Sequence, residues 1–316
     1  MKDSTPKAIH LKDYTQPYFW IDTVDLVFEL GEAHTRVWST MTLRKNQGFP
    51  GHYPLTLNGE HMQLEAVKLD GAVLGHADYE VTEDELIIHH VPDSFTLEIE
   101  TLIKPQENTA LEGLYKSGGN FCTQCEAEGF RRITYYLDRP DVMATFTTTV
   151  IADKQRYPVL LSNGNPVGQG EHDDGRHWVR WQDPFKKPCY LFALVAGDLG
   201  FIEDRFTTLS GREILLRIYV ERHNIDQCDH AMASLKKAMQ WDEQVYGREY
   251  DLDVYNIVAV DDFNMGAMEN KGLNVFNSKC VLAKQETATD NDFINIEGVI
   301  AHEYFHNWSG HRVTGR

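Results

Sequence analysis

Apolar and polar residues alternate along the chain up to about position 190. The alternation runs through Val24–Leu30, and after the Gly31-Glu32 turn it runs again through Thr35–Arg44. Successive side chains of a β-strand point to opposite faces, so this pattern predicts two strands, each with one buried face. The short turn between them predicts that they pair as a hairpin.

Further short segments of the same kind follow, at Leu64–Leu69, Ala72–Leu74, Phe95–Ile103, Ala144–Ile151, Val159–Leu161 and His177–Trp181. Turn-forming dipeptides lie between or beside them, at Asn58-Gly59, Asp70-Gly71, Pro92-Asp93, Asn163-Gly164 and Asp174-Gly175. Many short strands with almost no helical period are typical of an all-β domain. We therefore expect an antiparallel β-sandwich or a saddle-like sheet in this part of the chain.

The pattern changes after an apolar strand at Tyr190–Gly200. Helices and strands now follow one another, with predicted segments at Asp226–Tyr246 (helix, closed by Gly247), Leu252–Val260 and Gly272–Asn277 (strands), and a helix from about Asn291 with Gly310 as a plausible terminator. We predict an α+β fold of two domains: residues 1–199 as the β-rich domain and residues 200–316 as the start of a second, mixed domain.

Composition places the chain among soluble globular proteins, with 316 residues, 42% hydrophobic and 25% charged. The 30 basic and 48 acidic side chains give a net charge of −18, which argues against nucleic acid and anionic membranes as partners. We see no signal peptide, and no apolar run approaches the ~18 residues that would span a membrane. Five sparse cysteines do not resemble a disulfide framework, so a reducing cytoplasm is expected.

Cys122 and Cys125 form a C-x-x-C sequence, which is compatible with a redox pair or with half of a zinc knuckle. Neither a second C-x-x-C nor a close histidine pair follows, and the flanking sequence is not a strand-helix redox motif. We therefore interpret both residues as structural thiols.

The last eighteen residues, VIAHEYFHNWSGHRVTGR, contain H-E-x-x-H at His302, Glu303 and His306. Residues four apart lie one turn above each other on a helix, so both imidazoles can face one ion. Zinc accepts two such nitrogens, and the glutamate beside the first ligand can act as a general base. The alternative is an ordinary amphipathic helix that happens to carry two histidines.

His311 is a tempting third ligand, but its position does not fit. The metzincin pattern H-E-x-x-H-x-x-G-x-x-H would need glycine at 309 and histidine at 312, where this chain has Ser309 and Arg312. A shift of one residue turns a helical side chain by about 100°. We therefore expect His311 to be a solvent-facing or capping residue and not a ligand.

A second segment, NMGAMENKG, precedes the histidines by some thirty residues. Small residues at Gly266 and Ala267 leave a strand open to close approach, so an extended peptide could pair with it. Glu269 follows directly, and a carboxylate there could bind the ammonium group of a free amino terminus. The alternative is a surface turn between two core strands.

G-A-M-E-N followed by H-E-x-x-H-N-W resembles the gluzincin zinc aminopeptidases, the aminopeptidase N family. Longer strings are similar to its bacterial, alanyl branch: FCTQCEAEGFRRITYYLDRPDVMATF, LLSNGNPVGQGE and QDPFKKPCYLFALVAGDL. The resemblance extends over essentially the whole chain. It implies a saddle-like β domain followed by the first part of a thermolysin-like catalytic domain.

The resemblance also implies the site. His302 and His306 would hold one zinc ion, and Glu303 would be the general base that activates water. Substrates would be peptides with a free amino terminus, contacted by Glu126, Gln124, Met265, Gly266, Ala267 and Glu269. Among these, Glu269 and Glu126 would bind the amino group, Gly266 and Ala267 the peptide backbone, and Met265 the first side chain, with Gln124 in the same pocket.

One part of the family pattern has no counterpart in the 316 residues. In the family the third ligand is a glutamate on the next helix, and a tyrosine that stabilises the transition state follows later; both positions fall beyond Arg316. We therefore expect an amino-terminal fragment that binds zinc weakly and is not catalytically competent by itself, from a parent enzyme that is a monomer.

Two rival functions remain open at this point. A non-catalytic binding or scaffold relative could keep the fold without the chemistry, but such a protein has no physical need of all four residues His302, Glu303, His306 and Glu269. Related epoxide hydrolases typically carry glycine in place of Ala267. Both considerations favour the aminopeptidase.

Overall fold

The computed structural model describes residues 10–315. Residues 1–9 and Arg316 lie outside the described residues. The first stretch belongs to the part for which the sequence predicts no signal peptide, and Arg316 is the last residue of the predicted second domain. The β-rich part contains short 3-10 turns at Leu11–Asp13, Pro105–Glu107, Phe130–Arg132 and Cys189–Leu191. Its strands are β1 (Phe19–Leu30), β2 (Thr35–Lys45), β3 (Leu55–Asn58), β4 (Gln63–Leu69), β5 (Ala72–Val73), β6 (Tyr79–Val81), β7 (Glu85–Ile88), β8 (Ser94–Ile103), β9 (Gly113–Ser117), β10 (Asn120–Gln124), β11 (Met143–Asp153), β12 (Val159–Ser162), β13 (Asn165–Glu171), β14 (Arg176–Pro188) and β15 (Leu194–Gly197).

These strands form three sheets. The largest has eight strands in the order β13-β14-β11-β1-β2-β8-β4-β5, and smaller sheets have the orders β12-β15-β10-β9 and β3-β7-β6. β1 and β2 pair as the predicted hairpin, and β1 alternates between buried and partly buried residues along most of its length. One pair departs from the expected antiparallel arrangement, because β1 and β11 are parallel. Parallel neighbours need a long connection, which residues 31–142 supply.

The second part mixes helices and strands, as the sequence predicts. It contains 3-10 turns at Arg222–Gln227 and Ser278–Cys280 and the elements β16 (Leu199–Thr207), β17 (Glu213–Glu221), α1 (Asp229–Tyr246), β18 (Val254–Val260), β19 (Ala267–Met268), β20 (Leu273–Asn277) and α2 (Asp290–Phe305). Its sheet has the order β16-β17-β18-β20-β19, so the very short β19 is an edge strand. The α+β organisation is thus confirmed. Neither α1 nor α2 is long and apolar enough to cross a membrane.

Local sequence explains where the two helices begin and end. Gly247 closes α1 in the left-handed conformation, with φ 61°, as predicted. Thr289 and Asp292 form a capping box at the start of α2, each side chain accepting a hydrogen bond from the other's backbone N–H. The prediction that α2 continues towards Gly310 is wrong, because the helix ends at Phe305. Past this point the Asn307 amide side chain donates to the Tyr304 carbonyl at 2.8 Å, in competition with the helical pattern.

All five cysteines are free and buried. Burial raises the pKa of the Cys122 thiol to about 12 and that of Cys125 well above its ordinary value. A buried thiol that stays protonated is a poor nucleophile and a poor metal ligand. This supports the interpretation of Cys122 and Cys125 as structural thiols.

The two parts are joined by a shared apolar cluster. Tyr115, Leu161 and Trp181 of the β-rich part pack in one buried cluster with Met268 and Val275 of the mixed sheet. The cluster fixes the position of β19 relative to β9 and β10. β15 and β16 are consecutive strands of different sheets; the boundary at residues 199/200 stays a prediction.

Asn163 adds a polar connection inside this interface. Its side-chain amide donates to the Leu191 and Lys271 carbonyls at 2.9 and 2.8 Å, and its carbonyl accepts from the Ala193 N–H at 2.8 Å. The asparagine is buried, so each of these bonds replaces a bond to water. Through Lys271, Asn163 ties the loop after Glu269 to the β-rich part.

Replacing Asn163 with alanine is therefore expected to lower the free energy of unfolding by about 2–4 kcal/mol, since three bonds are lost and their buried partners stay unpaired. Urea unfolding followed by circular dichroism measures the change. Asn165→Ala is a matched control, because the Asn165 side chain also bridges the two parts, to Asp253, but in an exposed setting. For Asn165→Ala we expect the free energy of unfolding to fall by less than about 1 kcal/mol. Equal decreases in the two variants would contradict the role given to Asn163.

Candidate active site

His302 and His306 face each other on the last turn of α2. Their Nε2 atoms are 3.1 Å apart and their ring centroids 4.8 Å apart. The Nδ1 atom of His306 lies 2.7 Å from the Ser309 carbonyl, which can only accept, so Nδ1 carries the proton. The lone pair of His306 Nε2 is thereby left pointing towards His302, in the arrangement by which metal-ligating histidines are usually oriented.

Glu303 lies on the buried side of the same turn. Its side chain is 5% exposed, and its Oε2 atom is buried with no hydrogen-bond partner. Burial first, and then the negative charges of Glu269 and Glu126, raise the pKa of Glu303 to about 8. A carboxylate tuned towards neutral pH can both accept and return a proton.

Glu269 reaches this turn from a separate segment of the chain. Ligand atoms of Glu269, Glu303 and His306 all lie within 4.8 Å of one another. Glu269 follows β19, whose Ala267 and Met268 pair with Phe276 and Val275 of β20. Gly266 is held at the same edge, since its carbonyl accepts from the Asn277 N–H at 2.9 Å. On its other side β19 has no strand neighbour among the described residues, so one edge of its backbone is available for pairing.

The loop before β19 is anchored on the β-rich part. The Tyr115 hydroxyl donates to the Asp262 carbonyl at 2.9 Å, and the Ser117 hydroxyl donates to the Asp262 carboxylate at 2.9 Å. The Asn264 amide donates to the Ala110 carbonyl at 3.2 Å. Met265 follows this anchored stretch and is about half exposed. Its predicted contact with the first side chain of a substrate stays a prediction.

Glu126 comes to the site from the β-rich part, immediately after β10. Desolvation first, and then the charge of Glu269, raise the pKa of Glu126, whereas His306 lowers it. The Glu126 carboxylate is therefore near enough to both residues to feel their charges, although the residue itself is exposed. Its contact with a substrate amino group stays a prediction. Gln124 is 3% exposed and turns inward, where its amide donates to the Glu126 backbone carbonyl at 3.3 Å. Gln124 thus supports the backbone of Glu126; its own contact with substrate stays a prediction.

The expectation that His311 is a solvent-facing or capping residue is wrong, whereas the expectation that it is not a metal ligand stays a prediction. The residue is partly buried, and its Nε2 atom lies 2.7 Å from the backbone carbonyl of Glu269. Desolvation of the ring, and then the charge of Lys271, lower the pKa of His311 well below its ordinary value, so the ring is neutral. Because a carbonyl only accepts, the single proton is on Nε2. The sequence carries no local sign of this contact, since the partners are 42 residues apart.

The donor set fits a divalent cation. Two imidazole nitrogens are 3.1 Å apart, and the buried Glu303 oxygen without a partner is close to two other carboxylates, those of Glu269 and Glu126. An uncompensated group of negative charges in a buried setting is costly unless a cation offsets it. Neutral imidazoles with adjacent carboxylates are ligands that zinc accepts.

Two protein-family models and several known proteins match the chain. Residues 50–191 match the peptidase M1 N-terminal domain, and residues 230–316 match the peptidase family M1 domain. The chain is 57% identical over 311 residues to aminopeptidase N of Escherichia coli (strain K12), covering 98% of this chain and 35% of that protein. It is 53% identical over 316 residues to aminopeptidase N of Caulobacter vibrioides, covering 100% and 36%.

A solved structure is similar over almost the whole fold. The crystal structure of Legionella pneumophila aminopeptidase A in complex with aspartic acid superposes with a TM-score of 0.93 at 40% sequence identity, covering 97% of this chain and 36% of that chain. The chain thus spans about a third of the length of the curated relatives described above.

Proposed function

The chain belongs to peptidase family M1, and from this premise we propose that the full-length protein is a zinc-dependent aminopeptidase that removes amino-terminal residues from peptides. One observation carries the proposal. Ligand atoms of Glu269, Glu303 and His306, which come from two separate segments, lie within 4.8 Å of one another, beside His302 and next to the open edge of β19. Glu126, from a third segment, is near enough for its charge to raise the pKa of Glu303.

The arrangement suits a peptide with a free amino terminus. An ammonium group between the carboxylates of Glu126 and Glu269 would offset charges that otherwise repel each other. The following peptide backbone can extend along β19 and pair with Gly266 and Ala267, as in β-strand addition. A charge clamp at this place lets only the first peptide bond reach Glu303, which accounts for removal of single terminal residues.

His302 and His306 are the residues that would hold the metal. A zinc ion there would supply the Lewis acid that makes attack of water on a peptide carbonyl possible at neutral pH. Glu303 Oε2 accepts a proton from the attacking water and then gives it to the leaving amine nitrogen as the C–N bond breaks. The hydrogen bond from His306 Nδ1 to the Ser309 carbonyl keeps the ring in the required orientation.

Two peptides that differ only at the amino terminus test the proposal. The full-length protein, purified with zinc, should release the first residue of Ala-Ala-Phe-Ala and leave the N-acetylated peptide intact. Removal of zinc by 1,10-phenanthroline should abolish the release, and added zinc should restore it. Cleavage of the acetylated peptide at a similar rate would rule out an aminopeptidase, and absence of any cleavage would favour a non-catalytic relative.

Glu269→Ala is expected to lower kcat/KM for the free peptide by about 10²-fold or more, because truncating one partner of a buried charge pair costs about 2–5 kcal/mol. Zinc content, measured by atomic absorption, should not change. The exposed Glu286→Ala is the matched control and should behave as wild type. Loss of zinc in Glu269→Ala would instead make Glu269 part of the metal site.

A further inference from the structure

We propose that His311 is a positioning residue that holds the backbone of Glu269 at the distance from His306 needed to bind a substrate amino group. The inference rests on the proposed function and adds to it a residue to which the sequence assigned no role. It is carried by the contact between the His311 ring and the Glu269 backbone carbonyl.

The contact is short and joins two separate segments. His311 Nε2 donates to the Glu269 carbonyl at 2.7 Å across 42 residues of chain. The other ring nitrogen, Nδ1, is buried with no hydrogen-bond partner. The ring thus provides a hydrogen bond to the Glu269 backbone carbonyl but leaves one of its own polar atoms unpaired. A buried polar atom without a partner lowers stability. Stability is thus a poor explanation for a histidine at this position.

His311 is itself fixed to the metal-ligand turn. Its backbone N–H donates to the His306 carbonyl at 3.0 Å, and the Ser309 carbonyl accepts from the His306 ring at 2.7 Å. Gly310 permits the tight turn between them, with φ 134°, in a region that favours glycine. One short turn thus holds the His306 ring with one contact and the Glu269 backbone with another.

Glu269 needs such support because its own strand is short. β19 pairs with β20 through only Ala267 and Met268. The next backbone anchors are the Asn270 carbonyl, which accepts from the Leu273 N–H at 3.0 Å, and the Lys271 carbonyl, which accepts from Asn163. The carbonyl of Glu269 lies between β19 and these anchors. Without the His311 contact the backbone at Glu269 can shift, and the carboxylate moves relative to Glu126 and His306.

The test compares His311→Ala with His311→Gln, whose amide nitrogen can replace Nε2 as donor. The probes are alanine hydroxamate and propionohydroxamate, which differ only in the amino group, with affinities for the full-length zinc protein measured by calorimetry. We expect the preference of His311→Ala for the amino-bearing probe to fall about tenfold, which is the value of one good hydrogen bond. We also expect KM for the free peptide to rise by a larger factor than kcat falls. His311→Gln should restore most of the preference and most of the KM.

His177 supplies a matched control, because its Nε2 also contacts a backbone carbonyl at 2.7 Å, that of Tyr157 in the β-rich part. His177→Ala should leave the preference between the probes unchanged. A preference unchanged in His311→Ala overturns the inference, and so does a loss that His311→Gln fails to restore or that comes with loss of zinc. If the wild type itself shows no preference for the amino-bearing probe, the proposed role of Glu269 fails and the inference fails with it.

Discussion

In the full-length protein, Glu303→Gln is expected to lower kcat for a free peptide by about 10²–10⁴-fold, the usual contribution of a positioned general base. Glutamine keeps the shape of the side chain but cannot take a proton. The buried Oε2 atom of Glu303 has no other partner, so little else in the structure depends on its charge. KM and zinc content should therefore stay close to wild type, while kcat falls.

Steady-state kinetics together with metal analysis separate this outcome from a structural one. Glu297→Gln is the control, since Glu297 lies on the same helix and forms an ion pair with Lys237. Exposed pairs of this kind contribute about 0.2–1 kcal/mol to stability, and we expect kcat within about twofold of wild type. Turnover by Glu303→Gln within tenfold of wild type would exclude Glu303 as the base.

In the full-length protein, His306→Ala is expected to abolish tight zinc binding, and activity with it. Loss of a group that only supports a metal ligand already costs about 10–100-fold in affinity, so loss of the ligand itself should cost more. The variant removes both the nitrogen that faces His302 and the contact with the Ser309 carbonyl. Competition with a chromophoric chelator measures the change.

The control here is His230→Ala, because the His230 ring also contacts a backbone carbonyl, that of Phe293 on the metal-bearing helix. That variant should keep full zinc content even if it is less stable. Stoichiometric zinc in His306→Ala with unchanged affinity would place the ion elsewhere, with Glu269 and Glu303 as the nearest candidates.

Most strands of the β-rich part could be predicted from the sequence, because alternation is a local property. The hairpin of β1 and β2 follows from period-two spacing on both sides of one turn. The parallel pairing of β1 with β11 could not be predicted in this way, since nothing in either strand encodes a partner more than a hundred residues away. The end of α2 at Phe305 was not predicted either; both the side chain and the backbone N–H of Asn307 donate to the Tyr304 carbonyl there, a local arrangement that competes with the helical pattern.

The family resemblance, now confirmed, came from the two motifs and from three longer strings of similar sequence. H-E-x-x-H places two imidazoles on one helix face by helical geometry, so the pair at His302 and His306 was predictable without tertiary information. Glu126 and Glu269 are different, because only the resemblance connects them. Their meeting with Glu303 depends on the packing of β19 against the β-rich part, through the cluster around Met268 and the hydrogen bonds of Asn163.

The sequence by itself thus determined most of the longer strands, the existence of both helices, the histidine pair and the adjacent base, all of which follow from periodicities of a few residues. Only the tertiary structure decided that Glu269, Glu303 and His306 lie within 4.8 Å of one another, and that His311 contacts the Glu269 backbone and is not a solvent-facing residue. The physical reason is the distance along the chain over which each kind of interaction acts. Helix and strand spacing act over a few neighbouring residues, whereas a site built from separate segments is fixed by the burial and hydrogen bonding of the whole interface that brings them together.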